Sequence, residues 1–256
     1  GKSLAHSHSK QLHELIAANN RLNLTYDYYE CLDEEALKTC INLLRNGTIK
    51  GFNVTIPYKE KIIEFCDKLS PAASTIKAVN TLYMKDGYLI GDNTDHVGFK
   101  RLLSYYHINP KGRTSYVLGS GGAGKACLYA LNQLESKAVL VTRDKVRHQG
   151  LFKFVIDYDV FNQIGTYPLV INTTPVGMYP NVLACPLKLE VASQIDVVVD
   201  LIYNPKKTNL MKHASFAANG LVMLIAQAIK SQEIWQEKEL KNSDTDISDL
   251  IGGLEL

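Results

Sequence analysis

Lysine 59 stands two residues past a proline in the stretch GFNVTIPYKE, residues 51–60. Phe52, Val54 and Ile56 alternate there with Asn53 and Thr55, the pattern of a short half-buried strand. Pro57 has no N–H to donate and closes it. Polar residues of a matching kind recur at other predicted strand ends: Ser7 and Ser9, Asn80 and Thr81, then Asn93, Thr94 and Asp95. Hydroxyls, amides, one cation and one anion suit a small, polyhydroxylated, anionic ligand. Hydroxyls bind a carboxylate and amides read ligand hydroxyls. Singly, each has a plainer use. Asn80-Thr81 reads equally as strand-edge polarity, Asn93-Thr94-Asp95 as a helix N-cap, and Lys59 as a surface lysine. The constellation carries more than its members.

A second kind of chemistry sits in VLGSGGAGKA, with Gly119, Gly121, Gly122 and Gly124 directly after a strand and opening a helix. Glycines let a backbone approach a pyrophosphate, and a helix N-terminus offers unpaired N–H groups. The spacing is not that of a P-loop, since Lys125 is not followed by Ser or Thr. The next strand ends in VTRDKVR. An NAD site usually has an acidic residue there, facing the ribose 2′-hydroxyl. Here Thr142 and Arg143 hold that position, with Arg147 one turn on. Guanidinium forks match phosphate oxygens, so NADP is favoured over NAD. Asp144 could still serve a 2′-hydroxyl, and both arginines also read as solvated charges.

Other classes of function fall away on bulk properties. The chain has 256 residues, 46% of them apolar and 21% charged, with a net charge of +2. That composition supports a sizeable core in one large or two ordinary domains. It calls for neither nucleic acid nor an acidic membrane. No apolar run approaches the ~20 residues that span a bilayer, and Gly1–Lys10 has no signal-peptide core. The five cysteines form no C-x-x-C, which fits a reduced, cytoplasmic chain. His6, His8 and His13 raise a metal question, but no third ligand lies at zinc spacing, so no metal is expected.

The elements that must position these residues follow from periodicity. Ser9–Asn20, Asp33–Arg45, Glu60–Leu69 and Thr94–Tyr106 read as helices; Tyr26–Cys31 and Ala78–Met84 read as strands, the latter turning at Lys85-Asp86-Gly87 into Tyr88–Gly91. Pro110–Arg113 reads as a linker. Beyond it, apolar strands alternate with helices, as in a doubly wound parallel sheet. The expected organisation is α/β in two domains: residues 1–98 with 224–256 as a substrate domain, and 99–223 as a Rossmann-like dinucleotide-binding domain. The tail from Asn242 is weakly patterned and expected to be mobile.

Taken in order, AHSHS, NVTIPYK, AVNT, GDNTD, GSGGA, INTTPVGM, DLIYNPKKTNL and NGLVMLIAQA resemble the blocks of the shikimate dehydrogenase family over most of the chain. The resemblance implies a monomeric or homodimeric enzyme that reversibly reduces 3-dehydroshikimate to shikimate with NADPH, in aromatic amino-acid biosynthesis. It implies Ser7 and Ser9 on the substrate carboxylate, and Thr55, Asn80, Asp95, Tyr203 and Gln227 on its other polar groups. Lys59 and Asp95 would be the catalytic pair. Gly119, Ser120, Gly121, Gly122, Ala123, Thr142, Arg143, Asp144, Lys145, Arg147, Leu201 and Gly220 would line the cofactor. A relative with looser choice of quinate or NAD, and a ligand-binding sensor without turnover, are the competing readings. Several positions depart from the family. Its first strand would precede Gly1, Lys10 stands for Pro, His96 for Gly and Thr142 for Asn. The segment from Arg147 to Tyr167 leaves room for only a small helix.

Overall fold

A computed structural model describes residues 1–4 and 7–254. The chain divides into two compact units, Gly1–Gly98 with Leu224–Glu255, and Phe99–Met223. Among the described residues, no helix is long and apolar enough to cross a membrane.

The first unit opens with α1 (Ser9–Asn19), which buries Leu12, His13, Ile16 and Ala17. α2 (Glu34–Arg45) starts where the Asp33 carboxylate accepts the Ala36 N–H, and buries Leu37, Ile41 and Leu44. Then follow β1 (Gly51–Asn53), β2 (Lys68–Leu69), α3 (Pro71–Ile76), β3 (Thr81–Lys85), β4 (Tyr88–Asp92) and the start of α4 (Asp95–Tyr105). The sheet order is β1-β3-β4-β2, with β2 parallel to β4 and the other pairs antiparallel. The β3–β4 turn places Asp86 at φ 51° and Gly87 at φ 78°. Left-handed backbone at both central residues is what a tight two-residue hairpin requires. Leu37, Ile41 and Leu44 of α2 pack with Val54, Ile62, Val79, Leu82 and Leu89 into one core.

Three sequence expectations fail in this unit. Tyr26–Cys31 forms no strand; its aromatic side chains are used laterally, Tyr26 stacking on His13 at 4.2 Å and Tyr28 donating to the Ser7 carbonyl at 2.5 Å. Glu60–Leu69 is not one helix but a 3₁₀ segment, Lys61–Phe65, followed by β2. The Asp67 N–H donates to the Leu89 carbonyl at 2.9 Å, and its carboxylate accepts the Leu89 N–H at 2.7 Å. That pairing draws the chain out of helix and into the sheet. The opening strand also stops early: Ile56 is 78% exposed, though Val54 still donates to the Asn80 carbonyl at 2.7 Å.

The second unit contains β5 (Thr114–Leu118), α5 (Gly122–Gln133), β6 (Lys137–Val141), α6 (Lys145–His148), β7 (Val155–Ile156), α7 (Tyr158–Phe161), β8 (Leu169–Asn172), α8 (Leu189–Ala192), β9 (Val197–Asp200) and β10 (Phe216–Asn219). Every strand pair is parallel, in the order β10-β9-β8-β5-β6-β7. Numbered within the unit, that is the 3-2-1-4-5-6 winding of dinucleotide-binding folds, with its switch point between β5 and β8. Val117, Leu118, Leu140, Val141, Val170, Ile171, Val198 and Val199 are buried, as strands covered on both faces must be. Between Arg147 and Tyr167 the chain forms β7 and α7, a helix of only four residues.

The chain re-enters the first unit within α9 (Leu221–Gln236) and ends in α10 (Asp244–Gly253). The tail is thus helical rather than loose. Ser243 and Asp246 form a reciprocal capping box, and Ile247 and Leu250 are buried.

Candidate active site

Four elements of the first unit bring polar side chains together. The turn after β1 carries Lys59, whose backbone is fixed because its carbonyl accepts the Val79 N–H at 2.7 Å. Asp95 opens α4, where the Asn93 side chain accepts its N–H at 3.1 Å. Lys59 Nζ donates to Asp95 Oδ2 at 2.6 Å, with side-chain exposures of 20% and 8%. A charge-assisted bond this short and this shielded holds both groups in one place. The other carboxylate oxygen, Oδ1, accepts Asn80 Nδ2 at 2.8 Å. Asp95 is therefore held on both oxygens, and the Lys59 ammonium retains donors for a ligand.

Asn80, at the start of β3, is 3% exposed. Its Oδ1 accepts the Thr94 N–H at 2.7 Å, which fixes the amide's orientation. Gln227 of α9 lies at the long edge of the same amide, 3.4 Å from Nδ2. Ser7 and Ser9 meet through their hydroxyls at 3.1 Å, and Ser9 begins α1. Thr55 is half-buried on the Lys59 turn. Asn93 proves to be structural: its amide donates to the Ala78 carbonyl at 2.9 Å while its oxygen caps α4. Tyr203 belongs to the second unit, just past β9. Ala5 and His6 of the AHSHS block lie outside the described residues. His13 is 1% exposed and burial pushes its pKa down to about 3. Among the described residues, no group of three His, Cys, Asp or Glu side chains could hold a metal ion.

Sequence reasoning missed Ser231, fully buried on α9, where it accepts Asn53 Nδ2 at 3.0 Å. The signal was available, since Ser231 follows Gln227 by four residues and so shares its helix face.

In the second unit, Gly119 has φ +104°, and a Cβ there would fall 2.9 Å from Thr173 Oγ1. Gly124 is held tighter still: its Cβ would lie 2.2 Å from the Gly119 carbonyl oxygen. At Gly121 nothing lies within 4 Å, so the backbone borders open space. Gly121 is also the N-cap of α5 and supplies no side chain to the first-turn N–H groups. Together these fit a pyrophosphate: one glycine for the turn, one for close approach, one for helix-to-strand packing. Ser120, Gly122 and Ala123 complete the turn. Past β6, Thr142 is buried while Arg143, Asp144, Lys145 and Arg147 are exposed. The Asp144 carboxylate accepts the Arg147 N–H at 3.0 Å and caps α6. At Gly220, a Cβ would lie 2.0 Å from the Leu201 carbonyl oxygen, so only glycine lets these backbones meet. Asp200, fully buried at the end of β9, accepts from Asn172 Nδ2, the Ile202 N–H and the Thr208 hydroxyl. Burial nevertheless pushes its carboxyl up to about 6.

A Rossmann-like sheet in one unit and a largely shielded lysine–carboxylate pair among amides and hydroxyls in the other define the class, a two-unit α/β protein with a dinucleotide-type fold. A family model described as the shikimate dehydrogenase substrate binding domain matches residues 1–82. A shikimate dehydrogenase (NADP(+)) of Caldicellulosiruptor bescii is 40% identical, covering 92% of this chain and 87% of its own. A chorismate mutase/shikimate 5-dehydrogenase fusion protein from Clostridium acetobutylicum superposes with TM-score 0.92 at 35% identity, over 100% of this chain and 95% of that one. The shikimate 5-dehydrogenase of Thermus thermophilus, solved in complex with NADP(H) and shikimate, gives 0.85 at 28% identity, over 98% and 96%. The chain belongs to the shikimate dehydrogenase family, a family of oxidoreductases.

Proposed function

We propose that the chain catalyses the reversible, NADPH-dependent reduction of 3-dehydroshikimate to shikimate, a step of aromatic amino-acid biosynthesis. The first unit would hold the substrate and the second the cofactor. The observation that carries this reading is the 2.6 Å Lys59–Asp95 pair, shielded from solvent and braced by Asn80.

When bound, NADPH supplies the hydride. The chain's own residues do the rest. As negative charge develops on the carbonyl oxygen, the Lys59 ammonium hydrogen-bonds that oxygen and passes it a proton, leaving the neutral amine. General-acid help of this kind is worth ~10²–10⁴-fold, and preorganised charge stabilisation adds to it. The Asp95 carboxylate orients the ammonium and accepts a hydrogen bond from a neighbouring substrate hydroxyl. In the reverse direction the amine takes the hydroxyl proton. The Ser7 and Ser9 hydroxyls would hold the substrate carboxylate; Thr55, Asn80, Tyr203 and Gln227 would read its remaining oxygens. Fixing the substrate in one orientation supplies the other large part of the rate.

Arg143 and Arg147, exposed beside the glycine turn's neighbouring strand, support NADP, because guanidinium forks pair with a 2′-phosphate. Asp144 offers less to a ribose hydroxyl, since its carboxylate is engaged in capping α6. The wild-type protein should reduce NADP+ with shikimate, and do so at least tenfold faster than with quinate or with NAD+ in place of NADP+. Equal rates with quinate and NAD+ would instead establish the broader quinate/shikimate enzyme. NADP+ binding without turnover on any of these substrates would establish a sensor.

A further inference from the structure

Behind the Lys59–Asp95 pair lie three hydroxyls that the proposed chemistry leaves unused. Thr81 and Ser231 are 0% exposed and Thr94 is 1% exposed. They come from β3, α9 and the residue before α4. Ser231 Oγ lies 2.9 Å from Thr81 Oγ1 and 3.2 Å from Thr94 Oγ1. Thr81 Oγ1 lies 3.0 Å from Asn80 Oδ1, and Asn80 Nδ2 lies 3.0 Å from Thr94 Oγ1. The contacts close a ring: Thr94, Ser231, Thr81, Asn80 and back to Thr94.

A hydroxyl has one proton to give, so the ring's direction can be worked out. The Thr94 N–H donates to Asn80 Oδ1 at 2.7 Å, which forces the amide nitrogen to the other side. Nδ2 must then donate to Thr94 Oγ1, and Thr81 must donate to Oδ1. With its proton spent, Thr81 accepts from Ser231, whose one proton is shared between Thr81 Oγ1 at 2.9 Å and the Gln227 carbonyl at 3.0 Å. Ser231 in turn accepts from Thr94 at 3.2 Å, the shorter of the two contacts open to that proton, the other being Asn80 Oδ1 at 3.3 Å. Each member donates once around the ring, and bonds in such a chain polarise one another. Asn80 Nδ2 carries a second hydrogen, and the ring leaves it aimed at Asp95 Oδ1, 2.8 Å away. Asn53 Nδ2, from β1 on the segment that leads to Lys59, donates into the ring at Ser231.

We propose that Thr81 and Ser231 are positioning residues: their hydroxyls complete a one-directional hydrogen-bonded ring that locks Asn80 and thereby holds Asp95 against Lys59. The proposal rests on the dehydrogenase reading for its kinetic test, but not for its structural one. Thr81→Val keeps the branched shape and strand fit while removing the proton that Asn80 receives. Thr81→Ser keeps that proton and loses a methyl group. Under shikimate saturation, at a temperature well below the melting transition, kcat should fall tenfold or more in Thr81→Val and stay within threefold of wild type in Thr81→Ser. Should Thr81→Val fail to fold, Ser231→Ala breaks the ring one link earlier, and the same tenfold loss is expected. Equal kcat in wild type, Thr81→Val and Ser231→Ala would overturn the proposal, whatever their melting temperatures. Independently of turnover, the Asn80 side-chain amide in a ¹H–¹⁵N spectrum should be protected from hydrogen exchange in wild type and Thr81→Ser. It should lose at least tenfold of that protection in the ring-breaking variant. If wild type turns over no shikimate, the activity reading fails, and this spectrum alone decides for or against the ring.

Discussion

Asp200→Asn is the substitution whose consequence can be worked most closely. The carboxyl is fully buried at the end of β9, beside Leu201 and the Leu201–Gly220 backbone contact. Three donors favour its charged form, yet burial outweighs them and raises it from 3.8 to about 6. A carboxyl held that far above its ordinary value costs about 3 kcal/mol of stability when ionised. The sign follows from proton counts. Between pH ~4 and ~6 the folded chain holds a proton that the unfolded chain has released, so this group's contribution falls as pH rises through that window. Asparagine can keep Oδ1 as acceptor for Asn172 and Ile202 and donate to the Thr208 hydroxyl where Oδ2 accepted. It carries no charge at any pH. Urea unfolding followed by circular dichroism should place the variant within about 1 kcal/mol of wild type near pH 4. At pH 7 it should be about 2–3 kcal/mol more stable than wild type. A stability difference that is the same at both pH values would refute the reasoning, because it would mean the carboxylate is not penalised by its surroundings.

The glycine turn gives a contrast between neighbours: Gly121→Ala meets nothing within 4 Å and should melt like wild type while weakening NADP+ binding, whereas Gly124→Ala drives a Cβ to 2.2 Å from a backbone oxygen and should lower the melting temperature by several degrees. Calorimetric titration and thermal melts check both, and unaltered NADP+ affinity in Gly121→Ala would remove the turn from the site. Arg143→Ala should raise KM for NADP+ by ~10–100-fold, the worth of one charge-assisted phosphate contact, and leave KM for NAD+ unchanged. Equal effects on the two cofactors, measured in parallel, would mean that Arg143 does not read the 2′-phosphate.

Much of this architecture is legible in the sequence, and the exceptions have physical causes. The second unit's strands read clearly because both faces are buried, making continuous apolar runs such as the three valines of β9. Lys59, Asn80 and Asp95 stand beside strand ends and a helix start, where local signals are strong. Long-range pairing is what local signals cannot see. β2 is two residues long and exists because Asp67 and Leu89 bond across to each other. Tyr26–Cys31 has strand-like residues but spends them on His13 and Ser7. α10 has a mean pattern too weak to notice, yet Ser243 and Asp246 spell a capping box. Ser231 stands 150 residues from Thr81 and meets it only because α9 returns to the first unit.

The most direct test of the Lys59–Asp95 pair is the steady-state oxidation of shikimate by NADP+ in Lys59→Ala. If the Lys59 amine takes the hydroxyl proton in this direction as proposed, its removal should lower kcat by ~10²–10⁴-fold. KM for shikimate should move only a few-fold, and circular dichroism should match wild type. A folded variant with kcat near the wild-type value would contradict the assignment of acid–base chemistry to this pair.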